Sequence, residues 1–413
     1  MKKKQLLLSM LCVGLAYFIS CTQEIDVKNE LSPESVNNDP VIEMIQAFAD
    51  EVSENQATTR SAGANPSKLT VRDVKTETLV FNIAGEAGKL RTKASEDLSA
   101  VSVQLKTVTF SQNGKQGFSI ASDDERLNMI YAFTESGSLA DTVYNVGLSI
   151  ALDRINEACR RGLIDYYKNE DMPKTKATIS HLVVNNLIPT AWNQTAPYNL
   201  NAPAITCTEL GKLYAGRAAA GCTAIAVAQA VAYLCPPTLS STYNLPFLRQ
   251  TTFVDGATTG TGVSNVASFV RYIGDCVGSS YGCSTGARIR NIRDEFATWG
   301  ISYHFDEDEN VNLGRTAKYL NHGLPTITRG ERKSPRSGHA WLWTGIRCDH
   351  TGTKADGDFK VIANTVQLYC NWGWGPNSAN GWFANYEQPE ANMQPYLDNN
   401  DQLYVLGTSF VRP

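Results

Sequence analysis

One uncharged stretch of small and apolar residues, Ala218 to Cys235, constrains the fold of this chain more than any other feature. A helix that is apolar on every side has to be buried on every side. Gly221 permits a tight or left-handed entry into this helix, so we expect Cys222 at its N-terminus. Free backbone N–H groups and the helix dipole favour a thiolate at that position. A catalytic nucleophile and a structural core cysteine both fit it.

The N-terminus has the pattern of a secretory signal peptide, with lysines at positions 2–4 before an apolar run from Leu6 to Ile19. Residues 18–21, where this run ends, are similar to a bacterial lipobox. An ordinary signal peptide that ends near a cysteine is the alternative. The lipobox interpretation predicts an exported lipoprotein of the outer membrane or cell surface, with Cys21 as the lipidated mature N-terminus.

Composition narrows the classes of partner. The formal net charge of −4 does not favour a nucleic acid or an anionic membrane surface, and no internal stretch has the length of a bilayer span. The ten cysteines include no CxxC pair, which argues against a zinc site. An exported protein can form disulfides, and Cys276 and Cys283, which flank a Gly/Ser-rich loop, could pair with each other.

The length of 413 residues predicts two or three domains. After the signal peptide (1–21), we expect a tether and short helix (22–68), a compact unit (69–176) and a second domain (177–413). The helix begins at Pro40 and has Ile42, Ile45, Phe48 and Val52 on one face. The charged segment 168–176 is an expected cleavage site near Lys174 or Lys176, although an uncut linker also fits.

Residues 69–176 show strand patterns at 71–74, 79–83 and 101–110, and then a helix face formed by Leu148, Leu152, Ile155, Cys159 and Leu163. The second domain shows a further helix pattern at 284–297. Strand patterns follow at 340–346, 359–363 and 402–406. One central helix followed by an antiparallel sheet predicts an α+β fold.

A cysteine nucleophile needs an imidazole from elsewhere in the chain. Of the five histidines, His339 is the strongest candidate, because it stands where a basic, flexible loop meets an apolar strand. His304 and His322 lie in ordinary polar contexts, and His350 lies in a polar loop that fits a solvated turn. His181 precedes the first aromatic cluster of the second domain.

A third motif, Asn371-Trp372-Gly373-Trp374-Gly375, does not read as an ordinary core strand. Its rings can wall a substrate pocket, to which we assign Trp374, or shield an ion pair from water. The amide of Asn371 can orient an imidazole. An aromatic turn at a sheet edge is the alternative.

Together, Gly221-Cys222-Thr223-Ala224, Gly338-His339-Ala340 and the Asn371 motif resemble the streptopain family of papain-like cysteine peptidases, in the order of that family. The segments at 192–199 and 281–287 are similar to other parts of its catalytic domain. Residues 117–133 are similar to its inhibitory prodomain. The resemblance therefore covers most of the chain from about Leu69 onward.

The resemblance implies a role for each matching residue. Cys222 would be the nucleophile and His339 the general base and acid. Gln194 would complete the oxyanion hole, and Asn371 and Trp372 would support and cover the histidine. Residues 69–176 would be an inhibitory prodomain that an activating trypsin-like protease removes. The substrates would be proteins or peptides, and no metal or organic cofactor would be needed.

This chain departs from the family at Tyr369-Cys370, where the family often has His-Val, and at Pro376, where a glycine is common. The loop before His339 is also unusually basic. These departures bear on substrate preference more than on chemistry. Two other classes stay open: a catalytically inactive surface-binding lipoprotein with the same fold, and a cysteine-dependent transferase or amidase.

Overall fold

The structure, a computed structural model, describes residues 39–57, 68–85, 97–169, 179–206, 216–254, 261–305, 312–333, 336–385 and 404–411. The predicted signal peptide with Cys21, and the predicted cleavage residues Lys174 and Lys176, lie outside these ranges. No single helix in them is long and apolar enough to cross a membrane. One bent pair, Cys222–Leu234 with Pro237–Tyr243, has the combined length and composition.

The described residues of the N-terminal part, 39–169, form two α-helices and four strands. They are α1 (Pro40–Ala57), β1 (Thr70–Phe81), β2 (Val101–Gln112), β3 (Lys115–Ser122), β4 (Met129–Thr134) and α2 (Val146–Asn169). The predicted apolar faces of both helices are confirmed, since Ile45 in α1 and Leu148 in α2 are fully buried. The strands predicted at 71–74 and 79–83 are both present, but as parts of the one strand β1, which ends at Phe81. The polar residues between them pair with β2, so β1 runs through with one register shift after Val71.

The C-terminal part, residues 179–411, contains the remaining helices and strands of the described chain. They are β5 (Ser180–Val184), α3 (Cys222–Leu234), α4 (Pro237–Tyr243), α5 (Leu245–Leu248), α6 (Thr261–Cys276), α7 (Arg293–Thr298), β6 (Ser302–Phe305), α8 (Leu313–Asn321), β7 (Thr326–Lys333), β8 (Arg336–Thr353), β9 (Phe359–Val361), β10 (Gln367–Asn371), β11 (Gly381–Ala384) and β12 (Tyr404–Val411).

The predicted helix over 284–297 is present only from Ile289 onward. Residues 284–288 form a loop in which Ser280 and Gly286 make an isolated bridge, and the Thr285 hydroxyl donates to the Ala219 carbonyl at 2.7 Å. Only a short 3-10 turn and α7 are helical there. The helix α6 was not predicted. The three predicted strands all exist, as parts of β8, β9 and β12 with different ends.

All described strands belong to one sheet, whose pairings are antiparallel and whose main order is β1-β2-β3-β4-β11-β10-β8-β7-β12-β6, with β5 and β9 both paired to β8. The β4–β11 pairing, with Trp382 opposite Phe133, joins the N-terminal part to the C-terminal part. The predicted α+β class with an antiparallel sheet is confirmed. The predicted domain boundaries stay a prediction, and the sheet continues across the one at residue 176.

The helix α1 reinforces this junction from one face of the sheet. The Arg347 guanidinium on β8 forms an ion pair with Glu51 of α1. It also lies over the rings of Phe48, at 4.6 Å, and Trp382, at 5.7 Å. Arg347 is nearly buried, whereas the Glu51 side chain is 46% exposed. The guanidinium is therefore the desolvated partner, and the ion pair depends on both parts being in place.

The uncharged stretch forms α3, and its residues from Thr223 to Ala232 are all buried. It packs against α6 and β8. Burying one Ile or Val side chain contributes about 1.5–3 kcal/mol, so α3 anchors the C-terminal core. Gly221 enters the helix with φ 94°, and a Cβ there would lie 2.9 Å from the Thr285 methyl group. Only glycine meets both conditions without strain.

Candidate active site

Cys222 is the first residue of α3 and is half-buried. No side chain caps this helix end, so the backbone N–H groups of the first turn stay free near the Cys222 Sγ atom. Burial raises the pKa of the Cys222 thiol. The charge and hydrogen bond of His339 outweigh it, together with hydrogen bonds from the Ala340 N–H and the Thr223 hydroxyl, and the pKa falls below its ordinary value. The local structure therefore favours a thiolate.

His339 lies on β8, opposite Gly330 of β7, and is 5% exposed. Its Nε2 lies 2.7 Å from the main-chain carbonyl oxygen of Trp372. A carbonyl only accepts hydrogen bonds, so Nε2 carries the proton. In the neutral ring Nδ1 is then the basic nitrogen, and it is the one left for the thiol of Cys222.

Aromatic rings surround the imidazole. The rings of Trp341 and Trp374 lie nearly parallel to it, with centroids 6.1 Å and 6.2 Å away. The Trp372 ring is fully buried and packs on Trp341 at 5.3 Å and on Phe383 at 5.2 Å. These rings exclude water around His339, which strengthens its electrostatic interactions with neighbouring groups.

The group that orients His339 is not the Asn371 side chain, as predicted, but belongs to Trp372. The Asn371 amide does not orient the imidazole: its Nδ2 donates to the Thr190 carbonyl at 2.7 Å and to Gln229 at 3.2 Å. Its Oδ1 accepts from the Gly373 N–H. The carbonyl of Trp372 takes the place expected for the amide. Main-chain direction after β10 decides this, because it turns the Trp372 carbonyl, and not the Asn371 side chain, toward β8.

Gln194 is buried, and its main-chain carbonyl accepts a hydrogen bond from the Ala220 N–H at 3.0 Å. This bond ties the segment carrying Gln194 to the residues directly before Cys222. Trp374, the predicted substrate contact, is half-buried beside His339. Its indole nitrogen makes no hydrogen bond within the described residues.

The N-terminal part reaches this site through the start of α2. Gly147 is so close to His339 that a Cβ added to it would lie 2.7 Å from the imidazole Cδ2 and 2.6 Å from the Trp372 ring. Asn145 is fully buried; its Nδ2 donates to the Ser378 carbonyl at 3.1 Å while its Oδ1 accepts from the Leu148 N–H. Tyr144 packs edge-on against Trp374, with centroids 5.8 Å apart.

The other described histidine side chains have partners of their own. His181 pairs with Asp349 at 2.7 Å on the surface, and His322 bonds the carbonyl of Lys318. His350 lies on β8, where its Nδ1 accepts from the Gly352 N–H. Among these, His339 alone is brought to Cys222.

Two further predictions concern cysteines and metals. The possible Cys276–Cys283 pairing was wrong, because Cys276 is a free thiol whereas Cys283 is disulfide-bonded. Across the described ranges, no cluster of three or more His, Cys, Asp or Glu side chains is arranged to hold a metal ion.

Sequence reasoning missed four residues at this site. Trp341 follows His339 by two positions, so the period of a strand places both on one face. Gln229 is a single amide within the apolar α3, seven residues after Cys222. Asn145 precedes a helix pattern, which is a capping signal. For Gly147, the sequence carries no comparable signal.

Comparisons with known proteins found similarity over a range that contains Cys222 and His339. The sequence model of the Peptidase C10 family matches residues 192–383. No curated protein matches the chain. Among solved structures, a Cys-to-Ala mutant fragment of prointerpain A from Prevotella intermedia is 18% identical, with a TM-score of 0.46, covering 74% of this chain and 96% of that one. Residues 192–383 are therefore similar to the Peptidase C10 family, and the predicted resemblance of this chain to the streptopain family is confirmed.

Proposed function

We propose that this chain is a cysteine endopeptidase, made as an inactive zymogen and exported, in which Cys222 is the nucleophile and His339 the general acid and base. The observation that carries the proposal is the closeness of the His339 imidazole to the Cys222 thiol at the start of α3, which lowers the pKa of that thiol. An activated thiol needs such a partner, and the partner needs a third group that orients it. The Trp372 carbonyl is that group.

In the first half of the reaction, the Cys222 thiolate attacks the carbonyl carbon of a peptide bond and forms a C–S bond. The carbonyl π electrons move onto the oxygen. The Cys222 N–H and the Gln194 side-chain amide hold this oxyanion, and one such donor contributes about 2.7–4 kcal/mol. The imidazolium of His339 then gives its proton to the amide nitrogen, the C–N bond breaks, and the amine leaves.

In the second half, neutral His339 takes a proton from water while the water oxygen attacks the thioester carbon. The C–S bond breaks as the tetrahedral intermediate collapses. The products are a carboxylic acid and the regenerated thiolate–imidazolium pair. Trp374, beside His339 and half-buried, is the proposed wall of the substrate cleft.

The N-terminal part acts as an inhibitory prodomain in this proposal. Its residues Tyr144, Asn145 and Gly147 occupy the space around Trp374, Ser378 and His339. With the prodomain in place, His339 still lies close enough to Cys222 to lower the pKa of its thiol. The prodomain would therefore inhibit by blocking substrate access, and not by separating the nucleophile from its base.

The proposal extends to residues outside the described ranges. Lipidation of Cys21 would anchor the exported zymogen to the outer membrane or cell surface. A trypsin-like protease would activate it by cutting near Lys174 or Lys176. The lipid would then stay on the prodomain, and the catalytic domain would remain attached only through contacts such as β4–β11.

A test compares the purified full-length chain with its Cys222→Ala variant, before and after limited trypsin treatment. We expect trypsin-treated wild type, and not the variant, to hydrolyse casein. An epoxide inhibitor of thiol proteases should label Cys222. N-terminal sequencing of the active species checks the cleavage site.

Other outcomes would overturn the proposal. If neither form gains activity and Cys222 is not labelled, the chain is an inactive binding protein with this fold. Amide transfer without cleavage of casein would instead indicate a transferase or amidase. A wild type that is fully active before any cleavage would contradict the zymogen.

A further inference from the structure

Gln229 is a fully buried amide in the otherwise apolar core helix α3. It lies seven residues, or about two helical turns, after Cys222, so the two side chains lie on one side of the helix. Placing an amide in such a core costs free energy unless its polar atoms are hydrogen-bonded. The hydrogen-bond partners of the Gln229 side chain therefore indicate its role.

The Gln229 Oε1 atom is the meeting point of three donors. They are the Thr190 hydroxyl at 3.1 Å, the Trp192 N–H at 3.0 Å and the Asn371 Nδ2 at 3.2 Å. A main-chain N–H can only donate, so the oxygen of the amide, and not its nitrogen, faces Trp192. The Nε2 atom has no partner within the described residues. Gln229 thus serves this cluster as an acceptor.

The three donors belong to the segments that carry the proposed catalytic groups. Trp192 stands two residues before Gln194, the proposed oxyanion donor. Asn371 directly precedes Trp372, whose carbonyl holds His339. Gln229 itself lies on the helix that begins at Cys222. One oxygen atom therefore joins the segments of the nucleophile, the oxyanion hole and the base.

We propose that Gln229 is a positioning residue, whose side-chain oxygen sets the distances among Cys222, Gln194 and the Trp372 carbonyl that orients His339. The inference rests on the proposed peptidase function and deepens it. Gln229 does not touch the reacting atoms. It acts through Trp192 and Asn371, and its removal would let the three segments shift relative to one another.

The test uses the full-length chain after limited trypsin treatment. Gln229→Met keeps the length of the side chain but removes the acceptor, whereas Gln229→Glu keeps an acceptor oxygen. We expect Gln229→Met to lower kcat by about tenfold to a hundredfold, as small misplacements of catalytic groups do, with little change in KM. Gln229→Glu should retain most of the kcat that Gln229→Met loses.

A second readout needs no substrate. The pH midpoint of Cys222 alkylation by iodoacetamide, followed by peptide mass spectrometry, reports how well His339 stabilises the thiolate. We expect this midpoint to rise in Gln229→Met. Ala230→Gly is the matched control, because this buried neighbour weakens the same helix without a hydrogen bond to the cluster. It should lower stability and leave the midpoint unchanged.

If Gln229→Met is destabilised like Ala230→Gly but keeps the wild-type midpoint and kcat, Gln229 is merely structural and the inference is wrong. Should Gln229→Met not fold, Gln229→Asn is decisive, because its shorter amide cannot reach all three donors. A wild-type midpoint and kcat in Gln229→Asn would also overturn the inference. If wild type lacks peptidase activity while the midpoint still moves in these variants, only the proposed function fails.

Discussion

The imidazole Nε2 of His339 lies 2.7 Å from the main-chain carbonyl oxygen of Trp372, a residue 33 positions away in the chain. This carbonyl fixes the tautomer of the ring, since it can only accept a hydrogen bond. Any residue at position 372 has this main-chain carbonyl. Substitutions around it can therefore move the carbonyl but cannot remove it. The side chain of Asn371 contributes to that position from a distance, through Thr190 and Gln229.

Asn371→Ala should therefore reduce kcat/KM by at most about a hundredfold, because His339 keeps its direct partner. Loss of a side chain that orients a catalytic histidine directly costs about 10⁴-fold in a serine protease. Casein or peptide hydrolysis by the trypsin-treated chain measures the difference. A loss near 10⁴-fold would show that the amide, and not the Trp372 carbonyl, orients the ring.

The pH dependence of thiol alkylation should separate Cys222 from Cys276. The pKa of Cys222 is lowered, so its thiolate forms and reacts at a lower pH than an ordinary thiol does. Burial and the charge of Glu295 raise the pKa of Cys276 to about 11, so this half-buried free thiol should react only at higher pH. Peptide mapping after iodoacetamide treatment measures both midpoints in one sample.

In His339→Ala the burial of Cys222 remains while the charge and hydrogen bond that lower its pKa are gone. The midpoint for Cys222 should therefore move up, and that of Cys276 should stay. An unchanged midpoint for Cys222 would mean that His339 does not stabilise its thiolate.

Gly147→Ala should weaken inhibition by the N-terminal part. The added methyl group would lie 2.7 Å from the imidazole and 2.6 Å from the Trp372 ring, so α2 has to move outward. We expect alkylation of Cys222 in the uncleaved chain to be faster on the order of tenfold, equivalent to about 1.4 kcal/mol. Gly162→Ala is the control, because its methyl group meets only the Leu127 side chain within the N-terminal part. Equal effects of the two changes would contradict this role for Gly147.

Phe48→Ala should loosen the junction between the two parts after cleavage. Phe48 packs on Phe133 and Trp382 and lies under the Arg347 guanidinium, and truncating a buried Phe costs about 3–5 kcal/mol. We expect the pieces of the trypsin-treated chain to elute together in size-exclusion chromatography. They should separate at a lower urea concentration in Phe48→Ala. Phe247→Ala, at a side chain 42% exposed on α5, should behave like wild type.

Gly221→Ala should destabilise the chain and slow labelling of Cys222. The φ of 94° is strained for alanine, at about 1–3 kcal/mol, and the methyl group would press on Thr285. Urea unfolding and the rate of Cys222 alkylation measure the two effects. At Gly216 a methyl group meets open space, although φ is also positive at 74°. Gly216→Ala should therefore cost less stability and leave the labelling rate unchanged.

Prediction from sequence succeeded where a local pattern has a single physical solution. The uncharged stretch has no polar face, so it had to become a buried helix, and α3 is one. Alternation along β2 and the apolar faces of α1 and α2 likewise appear as predicted. Predictions failed where long-range contacts override local pattern. The loop at 284–288 is held by Thr285 on Ala219, and pairing with β2 keeps β1 continuous.

By itself, the sequence determined which side chains are available for chemistry: a cysteine at the head of an apolar helix, a histidine at the start of a strand, and an Asn-Trp turn. Tertiary structure alone decided which atoms serve each other. The Trp372 carbonyl holds His339, Gln229 joins three distant segments, and the backbone at Gly147 contacts the imidazole. The physical reason is that every residue has the same main-chain groups, so their partners are set only when the folded sheet brings remote segments together.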